Sequence, residues 1–358
     1  MSDCTESILG TNDIIGLSFI AQAGLLSIAF VLIFFGLVLR NVVIQKRHPF
    51  QSHIDIYVAS LFTADICMGL FAAMNLRWVV TGKVVCGTHC NIQGILKEFA
   101  ATNGPSTLAI TVHTFCVIFF RWTPSRSKLV PICVVSMTWL YTTCFVAIGL
   151  TMHKGKGGKD SFYIPTPYWC WVYDSTPVRV FSDYLWYNFT ALGSIILYIP
   201  LFFTLRGHID VLPDGGKWYH YKVTFIRRPN AERRETDFVV CPGNPSPSDK
   251  CRSAAIKMLW YPAVQILVAL SADISRWKLI QNIDPNLPLK DVPFTSIAVP
   301  RIIFGMCGVV DVVLFALTRP SILLFGKPAP RYHIHDSGDP TSRGGAREDT
   351  AASDLELS

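Results

Sequence analysis

The sequence predicts an all-α membrane protein: a bundle of seven transmembrane helices, N-terminus outside and C-terminus inside. Three observations carry this. Charged residues are only 16% of the 358-residue chain, against roughly 25% in an average soluble protein. The AVILMFWYC set reaches 51%, aromatics 12%, and the mean hydropathy is +0.36. The basic residues sit in short segments between apolar runs of membrane-spanning length. This composition disfavours a disordered chain, a nucleic-acid-binding domain and an ordinary cytosolic enzyme. The net charge of +7 is then a matter of membrane topology, and no nucleic-acid partner is expected.

A bilayer core needs about 20 apolar residues in helix. The expected spans are 14–39, 54–74, 90–120, 129–151, 181–205, 255–275 and 294–317. The third is the longest and the most polar at its start. Residues 1–13 carry Asp3, Glu6 and Asp13 and no Lys or Arg, which is not the basic start of a signal peptide. They are expected outside, because Arg40, Lys46 and Arg47 follow the first span at once. The next inner loop holds Arg121, Arg126 and Lys128, and the third, 206–254, is rich in Arg and Lys. Lys154, Lys156 and Lys159 on the outer side weaken the asymmetry without reversing it. Within 206–254, the segments 217–226 and 235–240 suggest a small hairpin. The seven-helix region is expected over 14–326, and 327–358 reads as a disordered cytoplasmic tail. No internal repeat is present.

Charges within spans are expensive and default to functional candidates. Lys97 and Glu98 lie about two turns into the third span, and neighbours in sequence point about 100° apart on a helix. At most one is expected to face the bundle centre squarely; the alternative is that they pair with headgroups or neighbouring helices. Asp273 and Arg301 are both roughly 25 Å from the inner ends of their helices at 1.5 Å per residue. They are expected to form an ion pair across adjacent helices, as a structural lock, as part of a polar ligand pocket, or as both. With Trp171, Asn188 and Gln265, these residues converge on the outer half as a candidate ligand site. Asp65 is near the middle of the second span, with Asp311 and His113 deeper. The three form a candidate relay, helix-packing glue being the alternative. Pro105, Pro200, Pro262 and Pro300 each favour a kink in their span.

Of the eleven cysteines, Cys67, Cys116, Cys133, Cys144 and Cys307 lie in apolar spans and read as small packing residues. Cys4, Cys86, Cys90 and Cys170 are on the outer side, where disulfides are permitted. Spacing alone leaves the pairing open. No Cys/His cluster has zinc spacing, so no metal and no cofactor is expected. Nothing matches a hydrolase elbow, a phosphate-cradling loop or an intramembrane HExxH site, so no enzymatic activity is expected. The seventh span contains no lysine for a retinal Schiff base.

The third span opens Cys90-Asn-Ile-Gln93-Gly94-Ile-Leu-Lys97-Glu98, and the second outer loop contains Tyr168-Trp169-Cys170-Trp171. The sixth span reads Trp260-Tyr261-Pro262, and the seventh closes Gly308-Val-Val-Asp311-Val-Val-Leu-Phe315. Together these resemble the cyclic-AMP-receptor-like G-protein-coupled receptors of fungi and slime moulds, to which fungal glucose-sensing receptors are similar. The resemblance implies a plasma-membrane receptor that senses an extracellular small molecule and activates a heterotrimeric G protein. Cyclic AMP, a sugar, an amino acid or another nutrient all stay open. It also implies that Cys90 rather than Cys86 bridges to Cys170. The third span ends Phe119-Phe120-Arg121-Trp122, without the acidic-Arg-aromatic triplet of rhodopsin-like receptors. At the inner face, Arg121, Arg126, Lys128, Arg252 and Lys257 would meet an acidic Gα surface, or serve only to fix topology. The alternative reading is a small-solute transporter or channel, which should show repeat symmetry or paired broken helices.

Overall fold

The structure, a computed structural model, describes residues 6–45, 52–120, 122, 127–153, 161–173, 175–206, 208–213, 221–225, 263–264, 270 and 294–318. All lie in the unit Met1–Pro328. Most of the sixth expected span, with Gln265 and Asp273, falls outside them. So do the tail from 327 and Arg121, Arg126, Arg252 and Lys257.

The long apolar runs become helices. α1 (Thr11–Gln45) is entered where the Asp13 carboxylate accepts from the Gly10 N–H at 2.9 Å. α2 (His53–Ala73) begins where Asp55 accepts from the Ser52 N–H at 2.7 Å, so a short acidic side chain satisfies an orphan donor. α3 (Asn75–Thr81) continues it and stops at Gly82, whose φ of 67° is a left-handed cap that glycine adopts at no steric cost. The fourth expected span is α6 (Leu129–Met152). The fifth is a short α7 (Thr176–Arg179), a π-helical turn at Val180–Tyr184, and α8 (Leu185–Leu205). Four of these stretches are long and apolar enough to cross a membrane, and a bent pair in the seventh span makes a fifth.

The third expected span is broken. α4 (Thr88–Ala100) ends and α5 (Asn103–Phe119) begins across Ala101 and Thr102. Pro105 is the cause, since its ring crowds the carbonyl four residues earlier, that of Ala101. The backbone tightens there: the Thr102 N–H bonds the Phe99 carbonyl at 3.2 Å and the Gly104 N–H bonds that of Ala101 at 3.2 Å. In the seventh span the expected kink at Pro300 is displaced. α9 (Thr295–Gly305) runs through the proline, and the 41° bend falls at Met306, before α10 (Cys307–Thr318). Met306 N–H divides between the Ile302 and Ile303 carbonyls, both at 3.1 Å.

Small residues let the helices close up, as packing without water requires. A Cβ on Gly24 would lie 2.5 Å from the Ala72 Cβ and 2.8 Å from the Gly69 carbonyl, so α1 and α2 cross backbone to backbone. A Cβ on Gly308 would meet Ser27 Oγ at 2.3 Å, which brings α10 against α1. Beside these contacts Phe34, Phe62 and Phe315 pack edge to face, with centroids 4.7 to 6.0 Å apart.

Among the described residues there are three two-stranded antiparallel ribbons. β1 (Ser7–Ile8) pairs with β2 (Lys83–Val84) and β3 (Tyr163–Pro165) with β4 (Cys170–Val172), Pro165 facing Cys170. β5 (Ile209–Pro213) pairs with β6 (Tyr221–Phe225). This last is the expected hairpin with a different first strand. Residues 221–225 pair upstream with 209–213; the expected partner segment 235–240 lies outside the described residues. Ile209 and Val211 are buried against Phe119 and Leu201.

Candidate functional site

The β3–β4 ribbon lies over the end of the bundle at which α4 begins and is tied to α4 in several ways. Cys170 bridges to Cys90, with Cα atoms 5.2 Å apart. Cys86 is disulfide-bonded as well, so it does not compete for Cys170. Gln93, wholly buried, is the hub beside the bridge. Its Oε1 accepts from the Trp78 indole at 2.9 Å and from the Cys170 backbone at 3.0 Å, while its amide donates to Asn75 at 2.8 Å. Glycines then seat the loop's rings: a Cβ on Gly94 would lie 2.2 Å from Tyr163, and one on Gly149 2.2 Å from Phe162. The Tyr163 phenol is raised well above its ordinary pKa, by burial first and then by the Glu98 and Asp183 carboxylates.

Beneath the ribbon lie the charged groups. Lys97 is 1% exposed and pairs with Asp183, which is fully buried in the π-helical turn. Glu98 is 2% exposed, and both its oxygens accept from Ser182 Oγ at 2.8 Å. Both residues thus pair with the neighbouring fifth span, the alternative expected for them, and both are buried. Consecutive residues on α4 meet consecutive residues on the facing turn, which packs closely enough to bury both. Asp183 is not among the candidates that the sequence pattern singles out, yet a signal for it exists. It is the sole Asp, Glu, Lys or Arg in 181–205, and opposite in sign to Lys97.

Aromatic rings cover these charges. Trp171, 8% exposed, has the Lys97 ammonium 5.8 Å from its ring centroid and the Arg179 guanidinium at 5.0 Å. Arg301 lies over Trp169 at 4.6 Å, so the described partner of this arginine is a ring of the pinned loop. Its expected partner, Asp273, and Gln265 lie outside the described residues. Asn188 does not join the cluster. It is exposed on the outward face of α8, and its amide donates to the Tyr184 carbonyl one turn earlier, at 2.8 Å.

The three candidate relay residues separate into two groups. Asp65 and Asp311 are each 1% exposed and in side-chain contact, and Asn103 donates to Asp65 at 2.7 Å just below the break in the third span. His113 stands apart, packed against His53, Tyr57 and Trp122 with ring centroids 5.6 to 6.0 Å away. The reason is length: ten residues of α5 after Asn103 carry it about 15 Å further along the axis. Of the inner basic residues, Lys128 is described; it is half-buried at the start of α6. Among the described residues no group of His, Cys, Asp and Glu could hold a metal ion.

No protein-family model matches this chain, and no curated protein does. Among solved structures it is similar to squid rhodopsin, at 14% identity and a TM-score of 0.54, covering 87% of this chain and 83% of that one. The likeness establishes the fold, a rhodopsin-like helical membrane bundle.

Proposed function

We propose that the chain is a G-protein-coupled receptor of the cyclic-AMP-receptor-like kind, activated from outside by a small polar molecule. The observation that supports this most is the Lys97–Asp183 pair, buried beneath a disulfide-tied, tryptophan-rich loop on a rhodopsin-like fold. Two charges kept out of water need a return beyond stability, since a buried pair often contributes no more than apolar residues would. A ligand with a phosphate, carboxylate or polyol group would take Lys97 from Asp183. Asp183 sits in a π-helical turn, a form that is rare and concentrated at functional sites. Releasing it lets the turn tighten and rotate α8 against α5, where the two helices pack. The movement reaches the inner ends of the fifth and third spans, where a partner binds. Retinal has no lysine to hold it in the seventh span.

The test is nucleotide exchange on a co-expressed Gα, screened against nutrients and cyclic nucleotides. An activating ligand is expected, and Arg121→Glu with Lys128→Glu should reduce exchange while surface expression holds. Unchanged exchange in that double variant would remove the basic inner face from the proposal. No exchange with any Gα would remove coupling itself.

A further inference from the structure

We infer a second ligand site, entered from the bilayer: a crevice that takes a small apolar amine. It goes beyond the receptor reading, whose ligand arrives from water. The crevice lies between the broken third span, α6 and the start of the fifth, with a volume of about 250 Å³. Its mouth is Met137, 72% exposed, and Tyr141. Both stand on the face of α6 that carries the exposed Val134, Leu140 and Ile148, the surface a bilayer covers. Its floor is Glu98, buried, with Ala101 beside it.

Two backbone irregularities make the space. Ala101, Thr102 and Pro105, at the break between α4 and α5, form one wall. Ser182, in the π-helical turn, forms part of the opposite one. Regular helices on both sides would have closed the gap to ordinary packing.

The lining selects the ligand. Five hydroxyls face the crevice, and each has its proton committed elsewhere. Thr102 donates to the Phe99 carbonyl at 2.7 Å, Thr138 to that of Val134 at 3.0 Å and Thr142 to that of Thr138 at 3.3 Å. Tyr141 donates to the Phe181 carbonyl at 2.9 Å and Ser182 to Glu98 at 2.8 Å. These hydroxyls and the carboxylate therefore present oxygen acceptors. The complementary head is a donor, and an ammonium brings three donors together with the charge that suits Glu98. Phe145 and Trp186 supply aromatic wall for an apolar tail and a face for the cation. The volume is just below the roughly 300 Å³ at which drug-sized pockets begin, so the ligand is small.

The experiment uses the full chain in nanodiscs of neutral lipid, with 3-phenylpropylamine, 3-phenylpropanol and 3-phenylpropanoate as probes and the apparent melting temperature as readout. The amine should raise it saturably, and the alcohol should bind about tenfold more weakly, the worth of one charge-assisted hydrogen bond. The carboxylate should give no shift. Glu98→Gln should level amine and alcohol, and Met137→Trp, at an exposed position, should weaken both by closing the mouth. Equal binding of amine and carboxylate, a preference unmoved by Glu98→Gln, or binding unmoved by Met137→Trp would each overturn the site. If Glu98→Gln does not fold, the order of the three probes and the Met137→Trp result still decide. None of these readouts depends on G-protein coupling, so this site and the receptor reading fail separately.

Discussion

Lys97 and Asp183 are the residues whose burial most needs explaining. Removing one partner leaves an uncompensated charge in a buried site, at a cost of about 3–5 kcal/mol. Lys97→Met alone should therefore lower thermal stability sharply in detergent, and Lys97→Met with Asp183→Leu should recover most of the loss. Strictly additive losses would show that the two side chains do not interact. Tyr163, beside them, makes a second prediction. Its phenol is raised above the ordinary value, so the unfolded chain releases that proton first. The associated stability is whole below about pH 10 and declines above it. Tyr163→Phe should remove part of the alkaline loss of stability, read as a smaller difference between melts at neutral and high pH. At this scale the sequence showed which charges were misplaced in apolar spans, Lys97 and Glu98 among them. It did not show the partner across the bundle, because Asp183 sits at the margin of a span, where a carboxylate facing water would be ordinary.

At the scale of elements, hydropathy made the second and fourth spans legible to within a residue, and the first and fifth to within about six. Irregularities were harder, because a helix breaks where its own carbonyls lose partners, and two prolines of equal appearance behave differently. Pro105 breaks its span, while α9 runs through Pro300 and bends at Met306. The π-helical turn has no signature in composition. The outer ribbon was legible only as a Cys-Trp motif; what seats it is a pair of glycines. Gly94→Ala would drive a methyl into Tyr163 and should destabilise by about 1–3 kcal/mol, typical of overpacking. A melting curve on the purified variant checks this, and an unchanged midpoint would mean the ribbon shifts freely on α4. The Cys90–Cys170 bridge acts in the same place. Closing 80 residues, it contributes about 4–5 kcal/mol in the chain-entropy model.

For the whole molecule, the positive-inside pattern leads us to propose that residues 1–13 lie outside, and a direct test follows. An epitope inserted ahead of Thr11 should be stained on intact cells, and one at the C-terminus only after permeabilisation. Reversed staining would invert every statement about outer loop and inner face. The fold class was readable from composition and span length alone, whereas the arrangement of helices was not, since it depends on close approaches such as Gly24 on Gly69. The outer ribbon bears on time as well as on strength. Held by a disulfide, by Gln93 and by two ring seats, it cannot swing aside as a free loop does on the nanosecond-to-microsecond scale. On the function proposed above, a molecule reaching Lys97 from water would wait for rarer openings, so association and departure would both be slow. Occupancy would then outlast the stimulus, and the proposed receptor would report the recent average of its surroundings rather than their fluctuations.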